Sequence, residues 1–337
     1  MLYVTTRSNS ETFTSNRALT ENRGPDGGLY VPLHMPCFAP EEIKGLKDKP
    51  LGQRMAEVLN LFFGTRLSGW DLDLTIGKSP VRLVPVGRRE LLVESWHNPE
   101  GNFDWVVRSI SEALTGIQED FGSEWLSVAA RIGVLFGAFG ELMEQGIAGK
   151  VDVSVPSGDF SGCVAAWYAR QMGLPVGNII CCCNENSAPW DLIHRGELRT
   201  NSVALRTSTP LCDQVIPRDL ERLVFACGGY PQAESYVQAV RRGGMYCPDE
   251  ATAKKLREGL FVSVIGERRM KSTIYTTASR IIGPYTALAF SGLLDYRART
   301  GESRYALILS ERSPLCDGDT VAEAKGFSIE KLNELLK

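Results

Sequence analysis

The chain has 337 residues, 43% hydrophobic and 23% charged, which is enough for a large core or two domains. Its net charge of −3 is spread without long runs, so nucleic acid and membrane surfaces are poor partners. Its nine cysteines are an odd number, three of them consecutive at Cys181, Cys182 and Cys183, which argues against a disulfide framework and for a reducing, cytoplasmic location.

The N-terminal MLYVTTRSNSETFT lacks the basic and apolar regions of a secretory signal. No uninterrupted apolar stretch reaches the ~20 residues of a membrane helix. Leu2 to Thr5 reads as a short strand, followed by polar turns and a turn at Pro25 to Gly28. Phe38-Ala39-Pro40 opens a short helix over Glu41 to Leu46. Met55, Val58, Leu59, Phe62 and Phe63 then recur at helical spacing.

Leu91 to Trp96 reads as a strand, and a loop through His97 to Asp104 follows it. Residues 105–124 give an amphipathic helix and a linker. Trp125 to Gln145 is apolar around most of its circumference and should be buried, with Arg131 as a structural, snorkelling arginine. Trp96, Trp105 and Trp125 are core residues or, as the sharper alternative, part of an interface.

Val151 to Asn186 is the most informative stretch. Val151, Val153 and Val155 start an apolar strand, Gly158 and Gly162 bracket a polar turn, and Ala165 to Met172 form a helix. Gly173 and Pro175 stop that helix, and Ile179 to Cys183 is a second buried strand. Such a unit predicts a parallel pair in an α/β fold. Backbone N–H groups at a helix start beside glycines suit an anion, so Gly158, Asp159, Phe160, Ser161 and Gly162 are the candidate phosphate loop. The bland alternative is a tight turn that needs glycine for its geometry. The loop is neither G-x-G-x-x-G, a P-loop nor G-x-S-x-G. Cys181 and Cys183 share a strand face, but no second pair or histidine sits at ligand spacing, so no metal is expected.

The loop PSGDFSG, the helix AAWYARQMGLP and the strand end CNEN together resemble the threonine synthase family. So do the N-terminal YVTTR and PDGGLYVP, the later WDLIHRG, STPLCD and RDLERLVF, and IGPYTALA, with Tyr285 in a histidine place. The resemblance is faint over residues 105–124 and 230–281. It implies the large domain of the fold-type II pyridoxal phosphate enzymes, a mostly parallel twisted sheet flanked by helices. In that family the glycine loop holds the cofactor phosphate, and a lysine in H-G-P-T-x-[AS]-F-K-D forms the Schiff base.

This chain departs from the family pattern at three places. Asp104 stands in the lysine position, with His97 nearby as another candidate base, and an aspartate forms no imine. The T-S-G-D-T-G loop of the smaller domain has no counterpart. Glu311 takes the serine place at the pyridine nitrogen. Lys78 is the one lysine in residues 50–104. The expected organisation is an N-terminal region over 1–104, a splice over 105–124 where the small domain is deleted, and a core over 125–337.

The expected function is that of a non-catalytic binding or partner protein, cytoplasmic, meeting another protein or a second subunit. The alternative is an enzyme of amino-acid or specialised biosynthesis with altered chemistry. It would bind pyridoxal phosphate without covalent attachment, or another phosphate ligand, at Gly158–Gly162. Asp159 beside that loop should repel phosphate and leave only a weak anion pocket.

Overall fold

The computed structural model describes residues 1–77, 81–117 and 123–336, so Lys78 and part of the expected splice lie outside the described residues. Six strands form the central sheet: β1 (Arg82–Pro85), β2 (Glu90–Glu94), β3 (Val151–Pro156), β4 (Val176–Cys183), β5 (Leu260–Val264) and β6 (Ala306–Ser310). Their order is β5-β4-β3-β6-β2-β1, and every pairing is parallel except that of β1 with β2. This is the expected α/β sheet. A parallel sheet is covered on both faces, which is why β3 and β6 are buried along almost their whole lengths.

Alternation along β4 sorts its side chains between two layers. Ile179, Cys181 and Cys183 join the larger core, while Ile180 and Cys182 join the smaller one on the opposite face. The helices that matter most here are α1 (Leu51–Phe63), α2 (Phe103–Thr115), α3 (Glu124–Glu144), α4 (Ser161–Gln171), α5 (Leu220–Arg242) and α6 (Pro284–Thr300). The first five contribute to the larger core and α6 to the smaller. A three-stranded antiparallel sheet over Leu2–Thr5, Phe13–Thr14 and Tyr30–Pro32 forms the N-terminal arm.

Helix α3 runs through the larger core. Ser123 caps it by accepting a hydrogen bond from the Leu126 N–H. The helix is long and apolar enough to cross a membrane by length and mean composition, although Arg131 and Glu141 interrupt it, and most of that window is buried inside the protein. Gly140 lets α1 lie close, because a Cβ there would come within 2.4 Å of the Arg54 Nε. Arg54 is buried and donates to the carbonyls of Leu46 and Gly137.

The interface alternative for Trp125 is overturned. Its side chain is fully buried, its Nε1–H donates to the Tyr3 hydroxyl at 3.0 Å, and its ring meets Tyr3, Phe62 and Tyr168 edge to face. Trp105 is half-buried against the same core, and Trp96 stacks on His97.

Leu220–Arg242 is two helical stretches that meet at a kink, with non-helical dihedrals at Gly229 (φ 66°, ψ −162°) just before Pro231, and Tyr236 and Val237 of the second stretch pack into the larger core. Glu267–Thr276 is a helix that the sequence reading did not anticipate.

Candidate functional site

A polar concavity that several candidate residues share lies at the C-terminal ends of β3 and β6, where ligands bind in open parallel sheets. It is a cleft of about 380 Å³ between the start of α2, the middle of α3 and the loop into α4. Asp104, Arg131, Gly158, Asp159, Ser161, Gly162, Arg218, Tyr285, Glu311 and Arg312 all contribute to its lining. Asp104 and the glycine loop, 54 positions apart, are thus brought together, and Arg131 and Glu311 join them.

The loop's backbone is largely committed to internal partners. The Ser157 N–H donates to the Cys182 carbonyl, and the Gly158 N–H donates to the Cys212 sulfur at 3.4 Å. Burial pushes the Cys212 thiol up to about 12, so it stays protonated at neutral pH. Gly158 has φ +45°, which favours glycine. Phe160 has φ +75°, the single non-glycine residue with positive φ among the described residues. Its N–H donates to the Ser157 carbonyl and its ring is buried in the larger core. Phe160 therefore anchors the loop and does not line the cleft, which corrects its expected ligand role.

Asp159 sits across the start of α4. Its Oδ1 accepts from the Ser161 N–H at 3.0 Å and from the Ser161 hydroxyl, and its Oδ2 pairs with Arg218. Its carbonyl also accepts from the Asp219 N–H at 2.8 Å. Burial opposes ionisation of Asp159, but Arg131, Arg218 and the Ser161 donors outweigh it and hold the carboxyl below its ordinary range. A resident carboxylate thus already uses donors at this helix start.

Arg131 is held from several sides. It grips Glu311 through Nε and Nη2 at 2.9 and 2.7 Å, donates to the Ser127 carbonyl and hydroxyl, and lies 4.4 Å from the Phe103 ring centre. Arg218 pairs with Asp159, Asp219 and Glu124. Sequence reasoning passed over Arg218 because its partners lie up to 94 positions away. Asp104 stands exposed in the first turn of α2, whose cap is the Asn102 side chain, and its charge is one of those that favour the charged form of Arg131.

His97 is not part of this cleft. Its Nε2 lies 2.7 Å from the buried Glu94 carboxylate, and it lines a neighbouring hollow with Trp96 and Cys316. Cys181 and Cys183 are fully buried, and among the described residues no group of three His, Cys, Asp or Glu side chains is placed to hold a metal.

A family model described as the threonine synthase N terminus matches residues 2–79, the segment that holds the YVTTR and PDGGLYVP motifs. Threonine synthase from Corynebacterium glutamicum is 32% identical over 188 residues, which cover 52% of this chain and 38% of that protein. Threonine synthase from Pseudomonas aeruginosa is 23% identical over 405 residues, covering 88% of this chain and 85% of the relative. The solved structure of threonine synthase from Brucella melitensis superposes with a TM-score of 0.85 at 18% identity, over 97% of this chain and 91% of that one. The chain is a relative of the threonine synthases and shares their fold. Its match nevertheless spans well under half the length of the Corynebacterium relative. The threonine synthase fold explains why the cleft opens where strand ends and helix starts converge.

The Asp159 contacts set a pH dependence. Because its folded pKa is lowered, the stabilisation is fully present above the unfolded value of about 3.9 and fades as pH falls through the folded value. Asp159→Asn is expected to cost about 1 kcal/mol at pH 7, the scale of a helix cap. The difference in melting temperature between the two proteins should shrink below about pH 4. A constant difference from pH 7 to pH 3 would contradict this.

Proposed function

We propose that this threonine synthase relative does not make threonine and serves as a binding protein on the family's frame. The carrying observation is the charge arrangement of the cleft. Asp104, at the family's lysine position by sequence, lines it together with Asp159 and Glu311, and among the described residues no lysine lines it. Such a set does not fit covalently held pyridoxal phosphate. Imine formation needs an amine, and the phosphate would meet the Asp159 carboxylate at the donors it requires.

The same reading includes the deletion of the small domain over 105–124, between a region 1–104 and a core 125–337. It is supported by the Pseudomonas alignment, which runs over 405 residues while this chain has only 337. The proposed location is the cytoplasm, and the proposed partner is another protein or a second copy of this chain.

The test is direct. Purified protein given O-phosphohomoserine and pyridoxal phosphate should release no phosphate and form no threonine above a protein-free control. Borohydride should fix no cofactor to the chain. Coupled phosphate release and threonine formation would overturn the proposal. Asp104→Lys alone should not restore activity, because the substrate loop of the small domain has no counterpart in this sequence. An enzyme with altered chemistry would instead show reversible, phosphate-dependent binding of pyridoxal phosphate without borohydride fixation.

A further inference from the structure

The charges that line the cleft balance, three arginines against three carboxylates. They are also engaged with partners. Arg131 grips Glu311 through two oxygens, Arg218 pairs with Asp159, and Arg312 turns to Asp317 at 2.9 Å. Asp104 adds its charge to the field around Arg131. A charged ligand has to open or compete with one of these pairs, whereas an uncharged one leaves all of them in place. The neutral part of the lining is arranged differently. Tyr285 is 8% exposed, and its hydroxyl accepts from the Leu211 N–H at 3.2 Å but donates to no described residue. Burial raises its pKa, so the phenol keeps its proton at neutral pH. At the other polar backbone atom of Leu211, the Gln214 side-chain N–H donates to the carbonyl at 2.9 Å, and the Gln214 side-chain oxygen accepts from no described residue. The Leu211 side chain, 56% exposed, forms apolar wall together with Val155 and Leu309.

We propose that this cleft binds an uncharged ring bearing a carboxamide, whose carbonyl accepts from the Tyr285 hydroxyl and whose N–H donates to the Gln214 side-chain oxygen. The inference rests on the reading of the chain as a non-catalytic binding protein, and it names the ligand class of that site. A buried tyrosine hydroxyl ordinarily finds an acceptor, and the cleft is the open side from which one can reach Tyr285. The spare donor and the spare acceptor flank one residue, Leu211, and match in kind the acceptor and donor of a single amide. A carboxylate or phosphate in the same place would sit near Asp159 and Glu311, whose arginines are already taken. The cleft's volume of about 380 Å³ holds a single-ring ligand, and the apolar walls suit its faces. A site that hydrogen-bonds one polar group of a ring rejects the ring without it, because the buried donor is then left unpaired.

The discriminating experiment titrates the full chain with probes that share one ring and differ in one group, read by ligand-observed NMR. The probes are nicotinamide, nicotinate and 3-methylpyridine. Nicotinamide should saturate. Nicotinate, whose charge must compete with the ion pairs, should bind roughly tenfold more weakly or worse. 3-Methylpyridine, which offers neither carbonyl nor N–H, should fall behind by a similar factor. Tyr285→Phe should weaken nicotinamide about fivefold, the scale of one neutral hydrogen bond, and leave 3-methylpyridine unchanged. Gln214→Leu changes a half-buried side chain and should weaken nicotinamide to a similar degree, which keeps the test open should Tyr285→Phe fold poorly. Lack of saturable nicotinamide binding would overturn the proposal. So would nicotinate binding as tightly as nicotinamide, or folded variants at both positions that bind nicotinamide as before. These failures are separable from failure of the proposed function, since each leaves the absence of threonine formation untouched.

Discussion

Arg222→Met is expected to cost about 3–5 kcal/mol, the scale for breaking a buried ion pair from one side. Arg222 and Asp219 are both fully buried and are paired with each other at the start of α5. The Arg222 Nε–H also donates to the Tyr30 carbonyl at 3.0 Å, and its guanidinium lies 5.7 Å from the centre of the Trp125 ring. One side chain therefore joins the N-terminal arm, α3 and α5. Methionine retains much of the volume but supplies no charge and no donor. Asp219 would keep only Arg218, at 3.3 Å, and the Tyr30 carbonyl would lose its partner. Burial already raises the Asp219 carboxyl above its ordinary range, with Arg222 as the main opposing influence. Against a total stability of about 5–15 kcal/mol, the loss is large enough to populate unfolded chain at 37 °C. Urea denaturation measures it. Removing both charges, Arg222→Met with Asp219→Leu, should recover part of the loss because no lone ion is left buried. A single variant within about 1 kcal/mol of the parent would show that the pair does not fasten the arm.

Gly292→Val should be the second large effect. Gly292 lies on α6 where that helix crosses the sheet over β4. A Cβ there would come 2.1 Å from the Cys182 sulfur and 3.0 Å from the Cys182 Cβ. Cys182 is fully buried beneath the helix, and its sulfur approaches the Ala289 carbonyl at 3.5 Å, so it has little room to turn away. Replacing glycine in a helix interior gains at most about 1 kcal/mol of propensity. Forcing a branched side chain into a filled layer costs about 1–3 kcal/mol or more, so overpacking wins. The variant should melt several degrees lower. Pairing it with Cys182→Ala should return some of the loss, since the sulfur is the nearest obstacle. A variant that melts at the parent temperature would mean α6 lifts from the sheet without penalty.

The candidate site was legible in part. Asp104, Asp159 and the loop Gly158–Gly162 were marked by residue type and by family resemblance, and they line one cleft. His97, marked in the same way, lies in a neighbouring hollow, because the loop after β2 turns it toward Glu94. Phe160 looked like part of the phosphate loop, but a positive φ buries its ring. Arg218 was invisible as a site residue. It follows Pro217 in an ordinary helix-start pattern, and its partner Asp159 comes from a loop 59 positions earlier.

What the sequence determined by itself is the local grammar of the fold. Period-two runs gave β3, β4 and β6, glycine with proline ended α4, and the alternation of Cys181, Cys182 and Cys183 assigned them to opposite faces. These signals are short-ranged because they depend only on backbone geometry and on which face a side chain leaves. The tertiary structure alone decided the charge pairing, Arg131 with Glu311, Arg218 with Asp159, and Arg222 with both Asp219 and Tyr30. It also decided that Trp125 is core. Such outcomes depend on which strand ends and helix starts the chain topology brings within a few ångströms. An ion pair's energy falls off with distance in space, and separation along the chain does not enter it.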